Sequence, residues 1–313
     1  MKTRLALLVT TIALAAGPLS AIPARAQHDC DRTSDHAVPL PTEVSVPDSR
    51  VRVIVPAGYC HDTSAYPVVL LLHGVGDTWE TWSTNVDVEA ISADDDVIIV
   101  MPDGGKGSEA GWYSDWADGS RQWETFHTQV LVDWVDANFR TLGDGHRATA
   151  GLSMGGFGAL SYAARNDNRF QAAASFSGFA DTMYGWPVNG FGYEAAHGQF
   201  GTPDDRVWGD HIEDEDKWRA HNPADRATDL DDVALFIATG TGTPGGHAGE
   251  APTNPGAYAI EHFIFQTNVS LVAHLEAAGV GYSEWIYPGG YHGWPYWAAA
   301  LDWALPRLVA AIS

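Results

Sequence analysis

The ten residues from Gly151 to Leu160, GLSMGGFGAL, contain the pattern G-x-S-x-G as Gly151-Leu152-Ser153-Met154-Gly155. A serine alcohol is a weak nucleophile. It becomes reactive when a sharp strand-to-helix turn lifts its Oγ above a sheet and a general base stands within hydrogen-bond reach. A short β-like run, His146 to Ala150, precedes the pattern, and a helix-like run follows it. The flanking glycines let that helix pack close to the strand, and the Met154 N–H is placed to stabilise an oxyanion. A Gly-rich turn with an incidental serine produces the same five residues by chance, so the other parts of a serine hydrolase must be sought along the chain.

The base must be oriented in turn by a carboxylate, and in this class of fold the chain order is Ser, then Asp or Glu, then His. Four histidines follow residue 232: His247, His262, His274 and His292. His262 and His274 fall within a helix-like run, and His247 lies in a Gly-rich loop. His292 stands in Pro288-Gly289-Gly290-Tyr291-His292-Gly293, between the last strand-like run and the last helix-like run, where a base would reach across to the serine. It is the preferred base. No aspartate occurs from Val233 to Ala300, so an acid in that stretch is Glu250, Glu261, Glu276 or Glu284. Glu276 and Glu284 are poorly placed, and the residues alone leave Glu250 and Glu261 equal. A second oxyanion donor is expected after an early buried strand. His73-Gly74-Val75-Gly76 follows VVLLL directly, which selects the Val75 N–H.

The elements that must hold these groups alternate. Val68–Leu72 and Val97–Met101 are continuous apolar runs, as in strands buried on both faces of a parallel sheet. Between them Trp79–Ile91 is expected to form a crossover helix. Val44–Val55, interrupted at Pro47-Asp48, reads as an opening hairpin or edge strand. Gln122–Phe139 has helical spacing. Further strands are expected at Ala172–Phe176, Val233–Ala238 and Tyr282–Tyr287, and further helices at Met154–Ala164, Tyr258–Ala278 and Trp294–Ile312. Such alternation predicts an α/β fold with a doubly wound, mostly parallel sheet and helices on both faces. Gly178–Asp232, rich in Gly, Asp and Trp, breaks the rhythm and is expected to be an insertion above the sheet, a lid or substrate wall.

The first 26 residues read as an export signal, with Lys2 and Arg4, an apolar run Leu5–Ala16 and the cleavage pattern Ala24-Arg25-Ala26. Residues 27–313 are then expected to form one secreted domain, in which Cys30 and Cys60 pair under oxidising conditions. No later run is long and apolar enough to span a membrane. Removing the signal takes the formal net charge from −23 to about −26, a surface that repels nucleic acid and anionic lipid. The densest acidic stretch, Asp210–Asp216, lacks the glycine and spacing of a calcium loop and reads as a solvated face. The histidines show no H-E-x-x-H spacing, so no metal is expected, and no motif calls for a cofactor.

With these residues in view, the chain resembles the putative-esterase family of α/β-hydrolases, which includes esterase D and the antigen 85 mycolyltransferases. The likeness runs from about Val68 to Leu308. Its landmarks are VIIVMPDGG (Val97–Gly105), WYSDW (Trp112–Trp116), WETF (Trp123–Phe126), the serine motif, FSGF (Phe176–Phe179), GTGTPGG (Gly240–Gly246) and YHGWPYW (Tyr291–Trp297). The resemblance implies an α/β-hydrolase fold, Ser153 as nucleophile, His292 as base, and Val75 and Met154 as oxyanion donors. It also implies Glu261 as the acid, because the mycolyltransferases carry a glutamate in the helix after the G-T-P loop. One departure stands out. Those enzymes have Asp-Gly-Leu-Arg where this chain has His73-Gly74-Val75-Gly76, so the Asp and Arg that help hold trehalose are missing.

Two enzymatic readings share the covalent chemistry. In one, water resolves the acyl-enzyme and the protein is a serine esterase; in the other, a sugar or lipid hydroxyl does so and it is an acyltransferase. Trp112, Trp116, Trp186 and Trp294 are candidates for stacking on a sugar ring, and equally for the core. A non-catalytic binding protein on the same scaffold would be expected to lack one of the three catalytic side chains.

Overall fold

Eight strands form one sheet: β1 (Thr33–Ala37), β2 (Arg50–Ile54), β3 (Val68–Leu72), β4 (Ile98–Pro102), β5 (Arg147–Leu152), β6 (Ala172–Phe176), β7 (Ala234–Gly240) and β8 (Tyr282–Tyr287). Their spatial order is β1-β2-β4-β3-β5-β6-β7-β8. The computed structural model describes residues 31–166, 168–185, 204–248, 252 and 254–313. From β4 through β8 every neighbour is parallel, whereas β1 and β2 run antiparallel at one edge. In β3, β4, β5 and β6 every residue is buried, which is why β3 and β4 read as continuous apolar runs rather than alternating ones.

The helices are α1 (Thr81–Asn85), α2 (Val88–Ile91), α3 (Trp123–Thr125), α4 (Val132–Asn138), α5 (Met154–Arg165), α6 (Asp204–Val207), α7 (Glu215–His221), α8 (Gly256–Ala278) and α9 (Trp294–Ile312). They cover both faces. Leu70, Leu72, Val100 and Ile237 pack against Val135 of α4, Phe157 and Leu160 of α5, and Leu271 and Leu275 of α8. The alternate residues Val69, Leu71, Ala150 and Ala174 pack against Trp82 of α1 and Trp297, Leu301, Leu305 and Leu308 of α9. The sheet is thus doubly wound, as the alternation predicts.

Two expectations need correction. The partner of the first predicted strand is Thr33–Ala37, paired from Thr33↔Ile54 to Ala37↔Arg50, while Pro47-Asp48 lies in the connection. TSDHA is a polar edge segment with no apolar alternation to announce it. The crossover at Trp79–Ile91 is two short helices, because the Asp87 side chain accepts the Ala90 N–H and restarts the helix after an extended Val86. Of Gly178–Asp232, the structure describes residues 178–185 and 204–232. Trp208, Trp218, Ala224 and Leu230 are buried in the same core as the sheet, and Trp186 lies outside the described residues.

Candidate active site

Ser153 is the single residue between the end of β5 and the start of α5, with φ 52° and ψ −117°. A side chain rarely adopts this backbone conformation, and holding it costs on the order of 1–3 kcal/mol, which the surrounding packing must offset. Two glycines make the turn possible. A Cβ on Gly151 would lie 2.5 Å from the Gly155 carbonyl, and one on Gly155 would lie 2.5 Å from Leu72 O and 2.7 Å from His73 O. These are backbone atoms and cannot rotate away. Gly155→Ala is therefore expected to lower stability by about 2 kcal/mol or more. A denaturant midpoint equal to that of wild type would mean the helix has room to shift.

His292, in the loop between β8 and α9, lies between Ser153 and Glu261. Its Nδ1 is 2.9 Å from Glu261 Oε2 and its Nε2 is 2.9 Å from Ser153 Oγ. A carboxylate only accepts, so Nδ1 carries the proton and Nε2 is left to accept from the serine hydroxyl. Trp297 meets the imidazole edge to face at 4.9 Å. Glu261 is completely buried, on the face of α8 that also buries Ala257, Ile264, Asn268, Leu271 and Leu275. A buried carboxylate needs donors, and Glu261 has four. Besides His292, Oε1 accepts from Ser177 Oγ at 2.8 Å, Gly240 N at 2.8 Å and Thr239 Oγ1 at 3.2 Å. The alternative acid Glu250 lies outside the described residues. His247 packs on Trp285, Tyr287 and Tyr296; His262 and His274 donate to the carbonyls of Thr241 and Ser270.

The loop after β3 is a β-turn from Gly74 to Asp77, closed by Asp77 N–H to Gly74 O at 3.2 Å, with Gly76 at φ +86° where such turns favour glycine. The turn sits over the serine: a Cβ on Gly74 would lie 2.6 Å from Leu152 Cδ1 and 3.5 Å from Ser153 Cβ. His73, 1% exposed, locks it. The Gly104 N–H donates to its Nε2 at 2.7 Å, so Nδ1 is protonated and donates to Gly74 O at 2.8 Å. In a trans peptide the N–H points opposite to the C=O. Fixing the Gly74 carbonyl therefore fixes the direction of the Val75 N–H. Neither that N–H nor the Met154 N–H donates to another described backbone carbonyl.

The next loop is held from behind by a buried histidine. Between α3 and α4 the helix widens into a π turn, Phe126–Leu131, as often happens near functional sites. His127 on this turn contacts Tyr162 Oη and Asp103 O, each at 2.8 Å. Burial pushes its imidazole down from 6.5 to about 3. The unfolded chain takes up this proton near pH 6.5 and the folded one only near pH 3. The stability this group contributes is complete above about pH 6.5 and is lost on acidification toward 3, by up to about 1.4 kcal/mol per pH unit. In urea unfolding, His127→Gln is expected to flatten the slope of stability against pH over that interval. An unaltered slope would remove His127 as its source.

The remaining predicted residues are placed as follows. Trp112 and Trp116, each 3% exposed, are core residues and offer no open platform for a sugar. Trp112 packs on Phe157 and Phe179, and Trp116 lies beneath Arg206. Trp294 is half-buried, edge-on to Trp82 and Trp297. Asp210 and Asp214 cap their own turn: Asp210 accepts from the Ile212 and Glu213 N–H groups, and Asp214 pairs with Lys217 at 2.8 Å. Cys60 is half-buried after β2, and Cys30 lies outside the described residues, as do residues 1–26. Two residues at the site had no role assigned from the sequence: Ser177, inside FSGF, and Asp77.

A family profile described as Putative esterase matches residues 47–308. The chain belongs to the putative-esterase family. An esterase of Mycobacterium tuberculosis is 34% identical over 249 residues, covering 77% of this chain and 52% of that protein. The chain thus spans about half the length of that esterase relative. The diacylglycerol acyltransferase/mycolyltransferase Ag85B of Mycolicibacterium smegmatis is 31% identical over 264 residues, 77% of this chain and 75% of that one. Among solved structures, Mycobacterium tuberculosis MPT51 superposes with a TM-score of 0.72 at 26% identity, over 90% of this chain and 99% of its own. The fold is that of an α/β-hydrolase, and the sheet order places the family's serine motif at the end of β5.

Proposed function

We propose that the protein is a secreted serine esterase that cleaves carboxylic esters through an acyl-enzyme. The observation that carries this reading is the unbroken line from Ser153 Oγ through His292 to Glu261, each link 2.9 Å. Ser153 Oγ attacks the ester carbonyl as its proton passes to His292 Nε2. Glu261 orients the imidazole and stabilises the imidazolium that forms. The oxyanion is met by the N–H groups of Val75 and Met154, held in place before the reaction by His73 and by the start of α5. His292 then protonates the departing alcohol. Water enters, gives its proton to His292 and releases the acid, returning Ser153 to its resting state.

A second reading is acyl transfer, favoured by the likeness to the acyltransferase Ag85B. The site supports hydrolysis better. His73 is turned inward and engaged with backbone on both ring nitrogens, and Gly76 brings no side chain to hold a sugar. We further infer that residues 1–26 are removed on export, that residues 27–313 form one domain, and that Cys30 pairs with Cys60.

Acyl-enzyme partitioning tests the reading. The protein is given p-nitrophenyl esters of several chain lengths with and without glucose, trehalose or glycerol, and the products are followed by mass spectrometry. Free acid alone, whatever acceptor is present, is the expected result. Acylated sugar or glycerol at modest acceptor concentration would make the enzyme a transferase. No turnover, with no fluorophosphonate labelling of Ser153, would overturn both readings.

A further inference from the structure

Partly buried carboxylates in the described residues are mostly neutralised. Glu124 meets Arg165 at 3.1 Å, Asp118 meets Arg206 at 2.9 Å, and Asp181 accepts from Ser270, Asn222 and the Met183 N–H. Behind the site, Asp103 accepts the Gly105 N–H at 2.9 Å but meets no arginine or lysine among the described residues, and neither does Asp77. Asp77 is half-buried at the end of the oxyanion turn and accepts one long hydrogen bond, from Gly74 N–H to Oδ2 at 3.2 Å. Its Oδ1 accepts from no described residue, and no lysine or arginine among them pairs with it. A Cβ built on Gly74 would lie 3.1 Å from Asp77 Oδ2 and 3.5 Å from Ser153 Cβ, so the carboxylate stands near the nucleophile. Burial pushes the Asp77 carboxyl above its ordinary range, opposed in part by the hydrogen bond from the Gly74 N–H.

A half-buried carboxylate without a cationic partner attracts positive charge. His73 does not supply it, because its Nε2 is occupied by the Gly104 N–H and cannot also carry a proton. The missing partner therefore has to arrive with the substrate. It belongs to the alcohol rather than to the acyl chain, for two reasons. Packing an apolar chain against an unpaired carboxylate costs desolvation with nothing in return. The alcohol leaves toward His292, which must protonate it, and the Gly74–Asp77 turn sits over the serine that His292 contacts.

We propose that Asp77 is a specificity-determining residue, selecting esters whose alcohol carries a quaternary or protonated ammonium group over neutral and anionic ones. The inference rests on the hydrolase reading above.

The test compares butyrate esters of choline and of 3,3-dimethylbutanol, which match in shape and differ by one charge, together with 3-sulfopropyl butyrate. Wild type is expected to favour the choline ester in kcat/KM by roughly tenfold over the neutral one and to disfavour the sulfonate. Asp77→Asn should bring the choline-to-dimethylbutyl ratio near one, and Asp77→Glu should retain a preference. Asp210→Asn, on the exposed acidic stretch, should leave the ratio unchanged, which separates Asp77 from the general field of an acidic surface. Labelling of Ser153 by a neutral fluorophosphonate reports correct folding, and Asp77→Ser replaces Asp77→Asn if the latter does not fold. A ratio of one in wild type, or a preference that survives neutralisation of Asp77, overturns the assignment while labelling keeps the hydrolase reading intact. Absence of both turnover and labelling overturns the two together.

Discussion

Replacing Ser153 with alanine is expected to lower kcat for p-nitrophenyl esters by roughly 10³-fold or more and to abolish fluorophosphonate labelling. The change removes one oxygen and one hydrogen bond, to His292 Nε2. Alanine inherits the same φ of 52°, so the strain of the turn is neither added nor relieved. The thermal midpoint should therefore stay within a few degrees of wild type, because a loss of about 1 kcal/mol moves a domain of this size by only that much. Loss of activity with loss of fold would not implicate the nucleophile. Full activity in a folded variant would exclude Ser153 from the chemistry.

Glu261→Gln is expected to cost on the order of 10²–10⁴ in kcat, with KM changing far less. The amide keeps the shape of the carboxylate and can still accept from Ser177 Oγ and the Gly240 N–H. Its NH₂ then faces His292 Nδ1 and donates to it, which moves the ring proton to Nε2. In that tautomer the nitrogen facing Ser153 cannot accept the hydroxyl proton, and the developing imidazolium has lost its counter-charge. Glu250→Gln should leave turnover near wild type. The reverse pair of results would transfer the orienting role to Glu250.

The legible parts of this molecule are those where one physical demand acts alone. VVLLL at Val68–Leu72 and AAASF at Ala172–Phe176 are strands because both faces are covered, and composition records that. Ser153 and His292 were readable because a strand–turn–helix context is rare and the last loop is short. Where two demands overlap, the pattern is silent. TSDHA is held in β1 by backbone pairing along an edge, to which side-chain type contributes little. Tryptophan serves as core and as platform with the same residue, so Trp112 and Trp116 could not be sorted without their burial. The choice between Glu250 and Glu261 did have an unread signal. Ala257, Glu261, Ile264, Asn268, Leu271 and Leu275 share one helical stripe, and a carboxylate inside a buried stripe must be met by donors from elsewhere in the fold. Asp77 went unread because its meaning depends on the absence of a partner, which only three dimensions reveal.

The serine and the histidine it contacts are 139 residues apart in the chain, and the histidine follows β8, the outermost parallel strand. Synthesis proceeds from the N-terminus, so a nascent chain carries its serine long before it carries the group that withdraws the proton. On the proposed mechanism, Ser153 lacks its base until β8 docks beside β7 and brings the loop that carries His292. A chain cut short after α8 keeps the elbow but loses His292 and the α9 residues that cover one face of the sheet. On the proposed mechanism, ester cleavage would therefore report assembly of the fold to its last strand.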